Sequence, residues 1–188
     1  MLYKYTVTGR VVRYIQRGQL TQTIQNDNTG RGLYRLPNYI TENNNGDVVV
    51  SDSNAVVVTE RGGRHRFSYT GHQSGSGLRP RGICTDALSH ILVCDLITLT
   101  VQMLNKDGQF LSFLLRESEE FGYPHSLSYD VNTHRLWVGS GDNNKVCVYR
   151  YITRQDALTD EHRPRPDGDD LSISTPAVEC RHLGYRQI

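Results

Sequence analysis

Val11-Val12-Arg13-Tyr14, Val56-Val57-Val58-Thr59, Val101-Gln102-Met103-Leu104 and Val146-Cys147-Val148-Tyr149 begin at positions 11, 56, 101 and 146, a constant step of 45. Seven residues after the start of each of the first three runs stands a glycine: Gly18, Gly63 and Gly108. A second marker keeps nearly the same pace, because Pro37, Pro80 and Pro124 follow one another at steps of 43 and 44. Two markers drawn from different residue types agree on one period, and a fixed period of this size is the signature of a repeat architecture.

Between each proline and the next valine run lies a further apolar stretch: Asp47-Val48-Val49-Val50-Ser51-Asp52, Ile91-Leu92-Val93-Cys94-Asp95, and Arg135-Leu136-Trp137-Val138-Gly139-Ser140. Each unit reads as four short strands rich in β-branched and aromatic residues, separated by Gly, Asn, Asp and Ser clusters suited to tight reversals. In the second unit the strands are Gly82-Ile83-Cys84-Thr85, Ile91 to Cys94, Val101 to Leu104 and Phe110 to Leu115, with Asn105-Lys106-Asp107-Gly108 as the last hairpin. Asp-Gly is the pair such a turn favours. No useful stretch carries the 3.6-residue period of a helix. Four strands per repeat is one propeller blade, and a blade buries its faces only by stacking on neighbours.

The expected fold is therefore all-β: a partial β-propeller of four-stranded antiparallel blades. Residues 1–36 supply the outer strands of a partial blade, 37–79 and 80–123 two whole blades, and 124–153 an incomplete one. From Arg154 the repeat is lost. The charged, proline-rich run from Thr159 to Asp170 marks 154–188 as a disordered tail.

Composition narrows the function classes. Mean hydropathy is −0.53 over 188 residues, and no apolar run approaches the ~20 residues that span a bilayer. Met1-Leu2-Tyr3-Lys4-Tyr5 lacks the basic-then-apolar layout of a signal peptide, so a soluble, cytoplasmic chain with no membrane partner is expected. Cys84, Cys94, Cys147 and Cys180 have neither zinc-site spacing nor the density of a disulfide framework, and are read as small buried thiols. The net charge of +1 hides an asymmetry: residues 1–81 hold 11 Lys/Arg against 5 Asp/Glu, and the remainder 10 against 15. Such a split can mark a nucleic-acid-facing half, and scattered surface arginines would give the same count.

Pro37, Pro80 and Pro124 before strand one, with Asp52 and Asp95 closing strand two, resemble NHL repeats, the blades at the C-terminal end of many tripartite-motif proteins. The phrases from Tyr39 to Asp52 and from Lys106 to Leu111 look like invertebrate, especially molluscan, members, and the resemblance covers about residues 2–151. It implies a six-bladed ring that binds protein or RNA, attached to RING, B-box and coiled-coil segments that provide ubiquitin-ligase activity. Those segments need paired cysteines and histidines at short spacing, which this sequence lacks. Such a chain would be at most the recognition end. With fewer than four blades, raw blade faces remain at both ends, where a second copy could pair. The third unit departs further, with Ser140 in place of the closing aspartate and Thr153 at the hairpin glycine position.

Antiparallel strands alternate their connections between two ends of a blade. The loops from strand two to three and from strand four to the next blade share one end, gathering Arg31, Tyr34, Arg35, Arg79 and Lys145. Asn38, Arg81 and His125 follow the repeat prolines and are expected to ring the central channel on that same end. In NHL relatives that bind RNA the corresponding face is used. By that resemblance the arginines would contact phosphates, while Tyr34 or His125 stacks on an unpaired base. The Arg61-Gly62-Gly63-Arg64-His65-Arg66 hairpin falls on the opposite end and reads as a charged turn. Asp52 and Asp95 read as acceptors of backbone hydrogen bonds, and His90 and His134 as loop surface.

The expected function is a non-catalytic interaction module whose partner is a protein or a single-stranded RNA. No metal or cofactor is expected, and the chain is expected not to be an enzyme. The alternative is a fragment of a metal-dependent propeller hydrolase or lyase, for which Asp86 and Asp130 are the available inner carboxylates.

Overall fold

The computed structural model describes residues 9–72, 77–118 and 121–152, and the backbone of 177–182. The described residues are all-β. A two-stranded sheet joins β1 (Val11–Tyr14) and β2 (Leu20–Ile24). Blade 1 runs through β3 (Tyr39–Glu42), β4 (Val48–Ser51), β5 (Val56–Thr59) and β6 (His65–Tyr69). Blade 2 runs through β7 (Pro80–Thr85), β8 (Ile91–Asp95), β9 (Thr100–Leu104) and β10 (Phe110–Arg116). Blade 3 runs through β11 (Pro124–Asp130), β12 (Arg135–Ser140), β13 (Lys145–Arg150) and β14 (Ala177–His182). Every pairing is antiparallel between chain neighbours, so each sheet is a simple meander. Among the described residues the sheets do not close into a ring.

The hairpin glycines explain their own recurrence. Gly18, Gly63 and Gly108 have φ of 78°, 91° and 85°, the left-handed region in which a Cβ is costly. Each closes the turn between a blade's third and fourth strands, with the Gly108 N–H donating to the Asn105 carbonyl at 3.1 Å.

Burial records each blade's place in the stack. All residues of β4, β5, β8 and β9 are buried on both faces, because blades 1 and 2 each have a sheet on either side. β12 instead alternates: Leu136 and Val138 are buried and Trp137 is exposed. The core is thus three apolar layers between sheets. Ile24 and Tyr34 meet Val48, Val50 and Val57; Val49, Val58 and Leu78 meet Ile83, Ile91, Val93 and Leu104; Leu92, Cys94 and Met103 meet Leu136, Val138, Cys147 and Tyr149. Each such aliphatic side chain contributes about 1.5–3 kcal/mol when fully buried.

The C-terminal reading needs correction. Residues 177–182, expected within a disordered tail, pair with β13 along its whole length and make blade 3 four-stranded, although the repeat pattern stops near Thr153. The physical reason is an edge: the outer rim of β13 is a row of unpaired backbone groups, and a strand that satisfies them need not carry the repeat's side chains. The rest of the expected tail lies outside the described residues. Cys84 and Cys94 are free and buried, as expected, whereas Cys147 is disulfide-bonded and not a free thiol.

β7 lies tightly against β11 at Gly82. A Cβ there would lie 2.6 Å from the Ser126 Cα and 2.7 Å from both the His125 carbonyl oxygen and the Leu127 nitrogen. These are backbone atoms and cannot swing aside. Gly82→Ala is therefore expected to force β7 from β11 and lower stability by about 1–3 kcal/mol, read as a lower urea midpoint; an unchanged midpoint would show that the strands can separate freely.

Candidate functional site

The end of the stack that carries the proline-side loops is built on one repeated hydrogen bond. A proline opens the first strand of each blade, and the N–H of the residue before it must find an acceptor without a ladder partner. In blade 1, Asp52 Oδ1 accepts from the Leu36 N–H at 2.5 Å and Oδ2 from the Arg35 N–H at 2.8 Å. In blade 2, Asp95 Oδ1 accepts from the Arg79 N–H at 2.9 Å. The rest of the Asp95 carboxylate is filled by the Ile97 N–H at 3.1 Å, the Thr98 hydroxyl at 2.7 Å and Gln102 Nε2 at 3.0 Å. Blade 3 keeps the bond with a different residue. Ser140 stands in the aspartate position, and Asp142, two residues on, takes the Tyr123 N–H at 3.3 Å and the Ser140 hydroxyl at 2.7 Å. Asp142 was missed because only its position in space, beside Tyr123, reveals the substitution.

These bonds use backbone and leave side chains for solvent. Arg31, Arg35 and Arg79 are exposed. Arg31 sits in a turn closed by Asp27, whose Oδ1 accepts from the Arg31 N–H at 2.9 Å. Arg81 and His125 are half-buried on adjacent inner strands, where the Gly82 contact brings β7 against β11. The Arg81 Nε is itself buried and has no hydrogen-bond acceptor among the described residues. His125 lies edge-on to Tyr123, ring centroids 6.5 Å apart. Lys145 is half-buried at the start of β13, its N–H donating to the Asn143 carbonyl at 2.9 Å.

Tyr34 is not a surface residue. It is 2% exposed, packed with Ile24, Val48 and Val50, and cannot stack on a base. The sequence placed it by loop position alone, and the layer between the first two sheets claimed it instead. Burial pushes its phenol up to about 12; burial does the same to Tyr69, with the charge of Asp95 adding to it, and to Tyr129, with that of Asp86 adding.

The opposite end is charge-paired. Arg66 bridges Asp47 and, at 2.7 Å, Asp107 of the next blade, while Arg64 pairs with Glu60. Asp86, buried at this end, accepts from the His90 N–H at 2.8 Å and the Tyr151 hydroxyl at 3.0 Å, and its Oδ2 lies 2.8 Å from His90 Nδ1. Asn44 reaches across from blade 1 to the Asp86 carbonyl at 3.0 Å. Asp86 thus locks three blades together, a role that sequence spacing did not show. His90 is engaged rather than free loop surface, and His134 Nδ1 likewise lies 3.0 Å from the Tyr129 hydroxyl. Among the described residues no group of three or more His, Cys, Asp or Glu is set to hold a metal. Burial raises the Cys84 and Cys94 thiols, which removes them as nucleophiles.

No family model matches the chain. It is similar to solved structures of a catalytically inactive virginiamycin B lyase from Staphylococcus aureus with quinupristin (TM-score 0.58, 17% identity, covering 80% of this chain and 47% of that one). It is likewise similar to a streptogramin B lyase (TM-score 0.58, 16% identity, 81% and 50%). The fold is a β-propeller. A stretch of 61 residues is 38% identical to Protein wech of Drosophila melanogaster, covering 32% of this chain and 6% of that protein. The chain spans about half the length of these solved structures and a small part of the curated relative. The expectation that the chain is not an enzyme is overturned by these likenesses. It rested on the missing ligand spacing of the ligase segments and on Asp86 and Asp130 being the available inner carboxylates, whereas solved propellers of this fold include lyases.

Two outcomes follow from the site. Removing the Asp95 carboxylate strands several buried donors, so Asp95→Ala is expected to lower stability by about 3–5 kcal/mol, against about 1 kcal/mol for the exposed Asp142→Ala, both read from urea midpoints; equal costs would refute the buried clamp. Unfolded tyrosines ionise near pH 10, whereas Tyr34, Tyr69 and Tyr129 hold their protons to about 12. The fold then binds protons that the unfolded chain has lost, so stability is full below pH 10 and declines as pH rises toward 12. Phenolate absorbance during an alkaline titration should show a delayed class of tyrosines; one uniform step near pH 10 would contradict their burial.

Proposed function

We propose that the chain is an interaction module that holds an anionic segment of a partner protein on its proline-side face. The observation that carries this reading is Arg81, half-buried on β7 where that strand lies against β11, with an Nε–H that has no acceptor among the described residues. A partner carboxylate that meets the solvent-facing part of this guanidinium would gain a charge-assisted bond. Arg35 and Arg79, exposed beside the aspartates that hold their N–H groups, widen the positive field that would steer such a partner, and Lys145 opens β13 on that end as well. The resemblance to NHL repeats of tripartite-motif proteins supports use of this face, since relatives of that family that bind RNA use the corresponding one.

Single-stranded RNA is the competing anion. Burial of Tyr34 withdraws one of the two stacking side chains that reading relied on, leaving His125, and this favours an acidic peptide. The test is to titrate the protein with a glutamate-rich peptide and with a pool of short RNAs, each at low and moderate salt. Peptide binding that weakens about tenfold or more in Arg79→Ala/Arg81→Ala, with a flatter salt dependence, is the expected result. Tighter binding of RNA than of peptide would replace the protein reading with the RNA one. Unchanged peptide affinity in the double variant would remove these arginines from the site.

A further inference from the structure

Repeat position determines which neighbouring blade a strand residue faces. Val49 of β4 and Leu92 of β8 face the following blade and are 0% exposed. Trp137 holds the same place in β12, and it is 41% exposed. Ser128, directly across the β11–β12 ladder from Trp137, is exposed as well. Blade 3 thus presents a contact face that no sheet among the described residues covers.

The other end of the stack carries the matching half. In the third strand of each blade one position faces the preceding sheet: Val57 in the layer against β1–β2, Gln102 bonded to the Tyr69 hydroxyl at 2.6 Å, and Cys147 in the layer against blade 2. Two residues on, Leu104 and Tyr149 face the same way and are buried. In β1 these two positions are Val12 and Tyr14, which are 40% and 57% exposed. Leu20, across the β1–β2 ladder from Tyr14, is exposed too. Ile40 of β3 is exposed beside a groove of about 320 Å³ that Val12, Tyr14 and Gln22 also line. Contiguous apolar exposure of this kind marks an interaction surface.

We infer that these two ends are the halves of one interface, and that a second copy of this chain is the occupant: the Trp137 face of one molecule seats on the Val12–Tyr14 face of another. This pairing continues the contact already present inside the molecule. Blade-on-blade packing is heterologous, following-face on preceding-face, and it occurs between each successive pair of sheets here. Both open ends hold the side-chain positions of that same contact, so a second copy meets each with the surface that the repeat has already fitted to it. The association is head-to-tail, and every molecule keeps one half to offer. It involves none of the arginines assigned to the partner site and stands independently of that reading.

Trp137 is the sole tryptophan of the chain, so its emission reports on this face alone. Raising the protein from about 1 to about 100 µM should increase the mass seen by sedimentation velocity and shift the emission to the blue. Trp137→Gln and Val12→Asp/Tyr14→Asp should each remain monomeric over that range while keeping the β circular dichroism of the parent. An equimolar mixture of these two variants should form a one-to-one dimer, since the first retains the Val12–Tyr14 face and the second retains Trp137. Failure of the mixture to associate would overturn the head-to-tail arrangement. A wild type that stays monomeric at about 100 µM would overturn the interface, whether its emission is unchanged or already blue at every concentration because the chain covers its own face.

Discussion

A four-stranded β-blade has two apolar faces and no means of covering either, and every other feature of this chain follows from that constraint. Blades 1 and 2 meet it by lying between sheets, so that β4, β5, β8 and β9 are buried from end to end. A strand buried on both faces cannot alternate polar with apolar residues, which is why the sequence runs Val48-Val49-Val50 and Val56-Val57-Val58 without a break. The outermost sheets return to alternation because one side has no sheet against it among the described residues. Stability resides in the layers between sheets more than within any one of them.

That constraint also explains what the sequence made legible. The step of 45 between valine runs, the hairpin glycines and the strand-opening prolines are demands of the blade's own backbone, and each blade must repeat them. Asp52 and Asp95 were readable as backbone acceptors for the same reason. What stayed hidden depends on neighbours distant in the chain. Tyr34 sits in a loop by sequence and in a core layer by contact. Asp142 does the work of an aspartate that Ser140 displaced. Asp86 gathers its partners from Asn44 to Tyr151, and no spacing rule connects them. β14 pairs with β13 after the repeat signal has ended, because a ladder rim selects on backbone and not on pattern.

The two ends of the blade stack have different electrostatic characters. At the hairpin end, arginines are matched to carboxylates in pairs and bridges, so that end adds cohesion between neighbours. At the proline end, the carboxylates are occupied by backbone donors, and the arginines are left facing outward. The difference lies in the donors: Asp52 and Asp95 hold main-chain N–H groups of the connectors, and no ion pair with an arginine is formed at either among the described residues. Positive charge accumulates there as a by-product of how the connectors are fastened. Likeness to lyases shows that the same framework also supports chemistry, so the character of the face, and not the framework, must decide its use.

Fastening the connectors through main-chain atoms has a consequence for how such a surface can change over time. Leu36, Arg79 and Tyr123 differ in size, charge and polarity, yet each gives its N–H to a carboxylate in the same manner. The anchor does not read the side chain. A mutation at any of these places alters what the rim displays while the scaffold beneath it stays put, so specificity can drift from one lineage to another without passing through an unfolded ancestor.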